Sequence, residues 1–174
     1  MDFELSEEQQ MLRQVSRSML GTHATPELVR SVIGSGLDLD EKLWQRGAEL
    51  GWLGIAVSEE QDGAGMGLVE LCLVAEELGR SVAPGPYAET ALAALAAARG
   101  GAPADVVSGL VAGELKASVV HRSSPALSHA AGSADWLLVL GDDEAALVPT
   151  ASVTTRRRTT LDESFGWSAV DVDP

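Results

Sequence analysis

Residues 50–80 read LGWLGIAVSEEQDGAGMGLVELCLVAEELGR, and this stretch decides the fold. Gly51 is expected to end one helix, and a short apolar run follows it at residues 52–57. The polar segment 58–67 has glycine at positions 63, 65 and 67, a composition that predicts a tight turn. Apolar residues then recur at helical spacing and predict a second helix, which Gly79 is expected to end.

The glycine turn and the acidic pair of this stretch do not predict a catalytic site. Glycines before a helix expose amides that bind phosphate, but no Lys-Ser or Lys-Thr follows and residues 58–62 are acidic. Glu76 and Glu77 are adjacent, so their side chains point about 100° apart around a helix and cannot both face one substrate. One is expected to face solvent and the other to pair with a nearby cation such as Arg80.

Composition excludes several classes of protein. The 174 residues carry a formal net charge of -14, which repels phosphate backbones and anionic membranes, so we expect no nucleic-acid or membrane partner. The longest apolar run, residues 91–98, is too short to span a bilayer. A single cysteine, Cys72, excludes an intrachain disulfide framework and fits a reducing compartment. We therefore expect a cytoplasmic protein.

The order of predicted elements favours the α+β class. About six helices are expected in an all-α domain over residues 1–115, starting with the capping box of Ser6 and Gln9. Residues 116–174 contain short apolar runs that are typical of β-strands, and we expect them to form a small, partial antiparallel β domain. Its predicted strands lie at residues 116–120, 136–140, 145–148, 152–155 and 168–172, with a hairpin joining the second and third.

Other polar residues give weak indications of chemistry. His23, His121 and His129 are far apart in the sequence, show no metal-ligand spacing and are interpreted as surface or loop residues. Residues 156–158 are three successive arginines, which favour a solvated strand edge over a site for a CoA or flavin phosphate. The sequence alone therefore predicts no catalytic residue and no metal site.

Five segments, in this order and spacing, resemble the amino-terminal part of acyl-CoA dehydrogenases. They are FELSEEQ (3–9), WQRGAELGWLGI (44–55), EEQDGAG (59–65), EELGR (76–80) and LVAGE (110–114). The resemblance covers roughly residues 3–115 and weakens afterwards. Residues 119–125 lack the threonine-glutamate-proline motif expected in the first β segment, and the tryptophan-containing segment that abuts the flavin is missing.

The resemblance implies a flavoprotein with FAD as cofactor and an acyl-CoA or other acyl thioester as substrate. In this family a carboxyl-terminal helical bundle carries the catalytic base, completes the flavin site and forms most of the dimer interface. The sequence ends before such a bundle, so we assign no catalytic residue and no cofactor-binding residue. The family's equivalent helix flanks the acyl chain, which makes Tyr87, Glu89 and Thr90 the expected wall of a substrate pocket; the alternative is that they merely begin the fifth helix.

Three functional hypotheses follow. The first is a part or subunit of an oxidoreductase acting on the CH–CH bond of an acyl thioester, inactive as an isolated chain and completed by a partner subunit that supplies the bundle. The second is a non-catalytic interaction subunit that has kept a helical docking surface. The third is a relative that performs non-redox chemistry on an acyl thioester.

Overall fold

The computed structural model describes residues 4–122, 126–164 and 166–171. Phe3, residues 123–125 and Val172, which entered the sequence predictions, lie outside the described residues. Within them the chain forms six α-helices and then six short strands, which confirms the predicted α+β class. The helices are α1 (Glu7–His23), α2 (Pro26–Ser35), α3 (Glu41–Glu49), α4 (Leu68–Arg80), α5 (Tyr87–Gly100) and α6 (Ala104–Val111). The strands are β1 (Ala117–His121), β2 (Leu127–His129), β3 (Trp136–Leu140), β4 (Ala145–Pro149), β5 (Thr154–Arg157) and β6 (Trp167–Asp171).

Side-chain caps begin the first three helices. Ser6 accepts a hydrogen bond from the Gln9 amide, and the Gln9 side chain accepts one from the Ser6 amide, which confirms the capping box. Thr25 caps α2 and Asp40 caps α3 in the same way, each through its side-chain oxygen. These caps satisfy amides that have no partner inside the helix, which explains why the start of α1 at Ser6 could be predicted from sequence.

Glycine proved a poorer marker of helix ends. Gly51 and Gly101 do follow helices and adopt left-handed backbone, with φ of 74° and 71°. Gly79, however, lies inside α4, which runs on to Arg80, so the prediction that it ends the helix was wrong. A Cβ at Gly79 would meet nothing within 4 Å, and an exposed helical glycine costs only about 1 kcal/mol against alanine. The surrounding helix tolerates that cost.

The apolar run after α3 begins with a buried 3₁₀ turn, Trp52–Gly54. The glycine-containing loop, residues 63–67, folds back onto it. The Ala64 amide donates to the Gly54 carbonyl at 3.0 Å, and the Met66 amide donates to the Ile55 carbonyl at 2.9 Å. Gly63 lies so close to Val57 that an added Cβ would stand 2.2 Å from the Val57 carbonyl oxygen. The glycine at position 63 therefore serves close backbone contact, as expected for a turn rather than a phosphate loop.

Gly63→Ala is expected to destabilise the fold by about 2–3 kcal/mol, because the new methyl group meets backbone atoms that cannot rotate away. Gly79→Ala is the matched control, since its methyl group enters open space on an exposed helix. It is expected to stabilise by about 0.5–1 kcal/mol. Urea denaturation of both variants followed by circular dichroism measures the difference, and equal midpoints would contradict the packing argument.

The strands form two three-stranded sheets. One has the order β1-β3-β4 and the other β2-β6-β5. The predicted hairpin is present as the antiparallel pair β3 and β4, but β1 and β3 run parallel, so the β region is mixed and not purely antiparallel. Strand β2 was not predicted, because its three residues are too few to show an alternating pattern.

The central strand β3 has an apolar face on each side. Leu138, with Trp136 and Leu140 beside it, packs towards α5 and α6. Leu137 and Val139 on the opposite face join a second cluster that includes residues of β1 and β6. A strand covered on both faces reads as a continuous apolar run, as WLLVL does here. This layering places the first turn of α5 beside the two sheets, where the candidate site lies.

Candidate substrate cleft

A small cavity opens between α4, the connection after it and the first turn of α5. Its volume is about 140 Å³. Small apolar residues make most of the wall, and Tyr87 and Glu89 complete it. The apolar wall residues are Ala75, Leu78, Gly79, Ala83, Gly85 and Ala88. The cleft therefore suits an apolar group that approaches one carboxylate.

Backbone strain in the connection shapes this cavity. Val82 has φ of 49°, a left-handed conformation that is unusual for a β-branched residue, and Gly85 has φ of 134°. The Ala83 amide donates to the Leu78 carbonyl at 3.0 Å and fixes the turn after α4. A Cβ at Gly85 would lie 3.0 Å from the Tyr87 ring, so glycine keeps room beside the aromatic side chain.

Tyr87 belongs to the core as well as to the cleft. It is 2% exposed, and its ring centroid lies 4.9 Å from that of Trp44 and 5.8 Å from that of Trp52. Burial, followed by the nearby Asp40 and Glu41 carboxylates, raises the pKa of the Tyr87 phenol far above its usual value. Tyr87 therefore remains un-ionised and presents an aromatic edge to the cavity.

Thr90 lies one turn deeper and does not line the cavity. Its hydroxyl donates to the Ala117 carbonyl at 3.1 Å and accepts from the Ala117 amide at 3.0 Å, which docks β1 onto α5. Of the three wall residues expected from the family resemblance, the structure thus places Tyr87 and Glu89 on the cavity and Thr90 behind it. Their contact with a substrate stays a prediction.

Glu89 contacts His129, whose predicted position in the fold was wrong. Oε1 of Glu89 lies 3.0 Å from Nδ1 of His129, which was expected at the surface or in a loop. The His129 side chain is only 9% exposed and belongs to the unpredicted strand β2. An ionised carboxylate only accepts hydrogen bonds, so in a contact with ionised Glu89 the Nδ1 atom of His129 is the donor. No sequence signal joined these residues, which are 40 positions apart.

The acidic pair of α4 is structural. Glu76 is exposed, as expected for one member of the pair, while Glu77 is fully buried. Glu77 pairs with Arg17 of α1 and not with the expected Arg80: Nη2 of Arg17 lies 2.6 Å from Oε1 and Nε lies 2.9 Å from Oε2. This hydrogen-bonded cation holds the pKa of Glu77 below its usual range. The pair fastens α1 to α4 and leaves no carboxylate for catalysis there.

The three arginines lie where a sheet edge was expected. Residues 156–158 are exposed, and β5 is an outer strand of its sheet. Arg157 also reaches across the fold, with Nη1 2.6 Å from Oδ1 of Asp38, whose side chain is 3% exposed. The carboxyl end of α2 and Glu163 lie beside Arg157 and Arg158, which makes the surrounding 340 Å³ groove unfavourable for an anion.

Neither the lone cysteine nor the acidic residues form a further site among the described residues. Cys72 is exposed on α4. Among the described residues, no cluster of three or more His, Cys, Asp or Glu side chains has the geometry to hold a metal ion. In the same part of the chain no helix is long and apolar enough to cross a membrane.

The junction of the helices and the sheets offers few free polar groups for a flavin. Its buried hydroxyl groups are already engaged inside the protein: Ser118 Oγ lies 2.6 Å from Ser128 Oγ, and Thr90 bonds Ala117. Among the described residues Thr150, Tyr87 and Ser16 carry buried hydroxyl groups without a partner. Tyr87, however, packs in the core against Trp44 and Trp52, and Ser16 lies on α1. The described residues of this chain therefore do not by themselves fit a flavin.

Comparison with known proteins places this fold in a family. A model of the acyl-CoA dehydrogenase N-terminal domain matches residues 6–105, more than half of the chain. The chain therefore belongs to the acyl-CoA dehydrogenase family, as the five sequence segments indicated.

Relatives and solved structures agree with this assignment. The acyl-CoA dehydrogenase IpdE2 of Mycobacterium tuberculosis is 41% identical over 91 residues, which are 52% of this chain and 29% of that protein. The Tcur3481-Tcur3483 steroid ACAD (G363A variant) superposes with a TM-score of 0.79 at 29% identity, over 96% of this chain and 55% of that one. The ChsE4-ChsE5 complex from Mycobacterium tuberculosis gives a TM-score of 0.78 at 24% identity, over 98% and 56%. The chain thus spans under a third of this curated relative and about half of the solved chains.

Proposed function

We propose that this chain is part of an acyl-CoA dehydrogenase-like flavoprotein that oxidises the CH–CH bond of an acyl thioester. The cleft beside Tyr87 and Glu89 forms one wall of its acyl site. The observation that carries the proposal is an apolar cavity in a chain of this family, on the helix whose family equivalent flanks the acyl chain. Two of the similar solved structures are named for two components, which supports a partner subunit for this chain as well.

The remaining parts of the reaction are assigned outside the described residues. A catalytic base is needed because one hydrogen leaves as a proton and the other as a hydride. The carboxylates of the acidic pair do not supply it, since Glu77 is held by Arg17 and Glu76 faces solvent. FAD, which the family implies, is held mainly by a further segment or a partner subunit. The chain contributes the helical wall and its β sheets.

Co-expression with the acyl-CoA dehydrogenase-like proteins encoded beside this chain tests the proposal. A yellow complex whose flavin is bleached by an acyl-CoA without oxygen is the expected result. In that complex Ala88→Trp should keep the flavin but slow bleaching at least about tenfold, since losing about 1.4 kcal/mol of acyl binding has that effect. Leu92→Trp is the matched control, because Leu92 lies on α5 with its side chain exposed and does not line the cavity.

Other outcomes separate the alternatives. A stable but colourless complex would favour a non-catalytic interaction subunit. A complex that consumes the acyl-CoA without reducing any electron acceptor would favour non-redox chemistry on the thioester. Equal bleaching by the Ala88→Trp and Leu92→Trp complexes would place the acyl group elsewhere.

A further inference from the structure

Two residues with polar side-chain atoms, Tyr87 and Glu89, stand in the otherwise apolar wall of the cavity beside α5, and Glu89 is the one that can carry charge. Ala75, Ala83 and Ala88 keep it open because their side chains are small, and Glu89 supplies the one carboxylate on its lining. Its volume of about 140 Å³ is close to the roughly 150 Å³ of an apolar protein cavity that accepts a benzene molecule. A single six-membered ring or a compact branched group therefore matches the space.

The Glu89 carboxylate is positioned to receive a hydrogen bond from such a group. Its Oε1 atom is occupied by Nδ1 of His129 at 3.0 Å, and this contact fixes the side chain on the cavity rim. Its Oε2 atom makes no hydrogen bond to any described residue, and the side chain is 26% exposed. An ionised carboxylate accepts but cannot donate, so it favours a hydroxyl and disfavours a ketone or a second carboxylate.

We propose that Glu89 is a specificity-determining residue that selects an acyl thioester with a hydroxyl group on a compact ring or branched end. The apolar wall takes the carbon skeleton, Oε2 accepts from the hydroxyl, and His129 positions the carboxylate. This inference rests on the proposed function for the thioester part of the ligand. The recognition of the hydroxyl group rests on the cavity and Glu89 alone.

The alternative is that Glu89 only ties α5 to β2 through His129. Glu89→Gln distinguishes the two roles, because the amide oxygen can still accept from Nδ1 while the amide nitrogen replaces Oε2 by a donor. A purely structural contact between Glu89 and His129 would survive this change, whereas a preference for a hydroxyl group would be lost. Glu76→Gln is the matched control, since Glu76 is an exposed carboxylate on α4 that does not line the cavity.

Nuclear magnetic resonance on the 174-residue chain provides the test. Cyclohexanol, cyclohexanone and methylcyclohexane serve as cavity-sized probes, and the methyl signals of Ala75, Ala83 and Ala88 report binding. Cyclohexanol is expected to shift these signals and to bind about tenfold tighter than cyclohexanone, the factor of one hydrogen bond to a charged group. In Glu89→Gln the two probes should bind within about twofold of each other, and Glu76→Gln should behave as the parent chain.

Equal binding of cyclohexanol and methylcyclohexane, or no shift of the three alanine methyls, would overturn the inference. A preference for cyclohexanol that persists in Glu89→Gln would overturn it too. None of these measurements needs flavin or a partner, so they fail or succeed independently of the co-expression experiment. If that complex proved colourless while cyclohexanol still bound beside Glu89, the proposed function would fail and the hydroxyl site would stand.

Discussion

Replacing Trp44 by alanine is expected to lower the free energy of unfolding by about 4 kcal/mol, within the usual range for deleting a buried tryptophan. Trp44 is 1% exposed, and its ring packs against Tyr87 with 4.9 Å between centroids. Its Nε1 donates to the Gly113 carbonyl at 2.8 Å and so joins α3 to the segment before β1. Since small domains are stable by about 5–15 kcal/mol, this single change removes a large share.

Trp44→Phe gives a graded comparison for that experiment. Phenylalanine keeps much of the apolar contact with Tyr87 but leaves the Gly113 carbonyl without its donor, so a loss of about 1–2 kcal/mol is expected. Met11→Ala, on an exposed side chain of α1, should change stability by less than about 0.5 kcal/mol. Urea unfolding followed by circular dichroism ranks the three variants; a Trp44→Ala midpoint near that of Met11→Ala would contradict the role assigned to Trp44.

Local patterns explain why the helical half could be predicted. Caps such as Ser6 and Thr25 act within three residues, and apolar spacing repeats every turn, so a short window of sequence carries the information. The order α then β, and with it the α+β class, followed from these windows. The division near residue 115 stays a prediction, although α6 ends at Val111 and β1 begins at Ala117.

The candidate site could be predicted only in part, because its contacts are distant in sequence. Helix α5 and its first turn were expected beside a substrate, but the partner of Glu89 is His129, on a strand of three residues. The cavity itself depends on the positive φ of Val82 and the close approach of Gly85 to Tyr87. Neither feature has a pattern that a single sequence reveals.

The partner of Glu77 shows the same limit on prediction. Helical spacing offered Arg80 as the nearest cation, since residues three or four apart share a face. The fold instead brings α1 against α4, and Arg17 from 60 residues earlier provides both hydrogen bonds. Tertiary packing therefore replaced a local pair by a distant one, and this change makes Glu77 important for stability.

Arg17→Met is expected to destabilise the fold at neutral pH, because it removes the one cation that hydrogen-bonds the buried Glu77 carboxylate and leaves only the longer-range charges of Arg13 and Arg80. The expected loss is about 1–3 kcal/mol, less than for a fully buried pair because the Arg17 side chain is itself 49% exposed. Glu77 has 0% side-chain exposure, so water cannot replace the lost hydrogen bonds without opening the contact between α1 and α4. Methionine keeps the length of the arginine stem, which restricts the change mainly to the charge.

The loss of stability in Arg17→Met should depend on pH, since the hydrogen bonds from Arg17 hold the pKa of Glu77 below its usual value. A carboxylate with a lowered pKa stabilises the folded chain above its unfolded pKa of about 4.3 and loses that contribution as the pH falls through the folded value. The difference between the parent chain and Arg17→Met should therefore be full at pH 7, begin to shrink where the buried Glu77 of the variant takes up a proton above its ordinary pKa, and shrink further below about pH 4, where the parent loses its own contribution. Urea unfolding of both chains across this pH range tests whether the difference in stability shrinks as the pH falls.

The double variant Arg17→Met/Glu77→Leu separates the buried charge from the packing of α1 on α4. Removing both charged groups leaves no uncompensated carboxylate, so most of the stability at pH 7 should return and the pH dependence of the pair should disappear. If the double variant were as unstable as Arg17→Met alone, lost packing and not the unpaired Glu77 would explain the effect. Recovery in the double variant would instead assign the loss to the carboxylate, because the two variants share the same methionine at position 17.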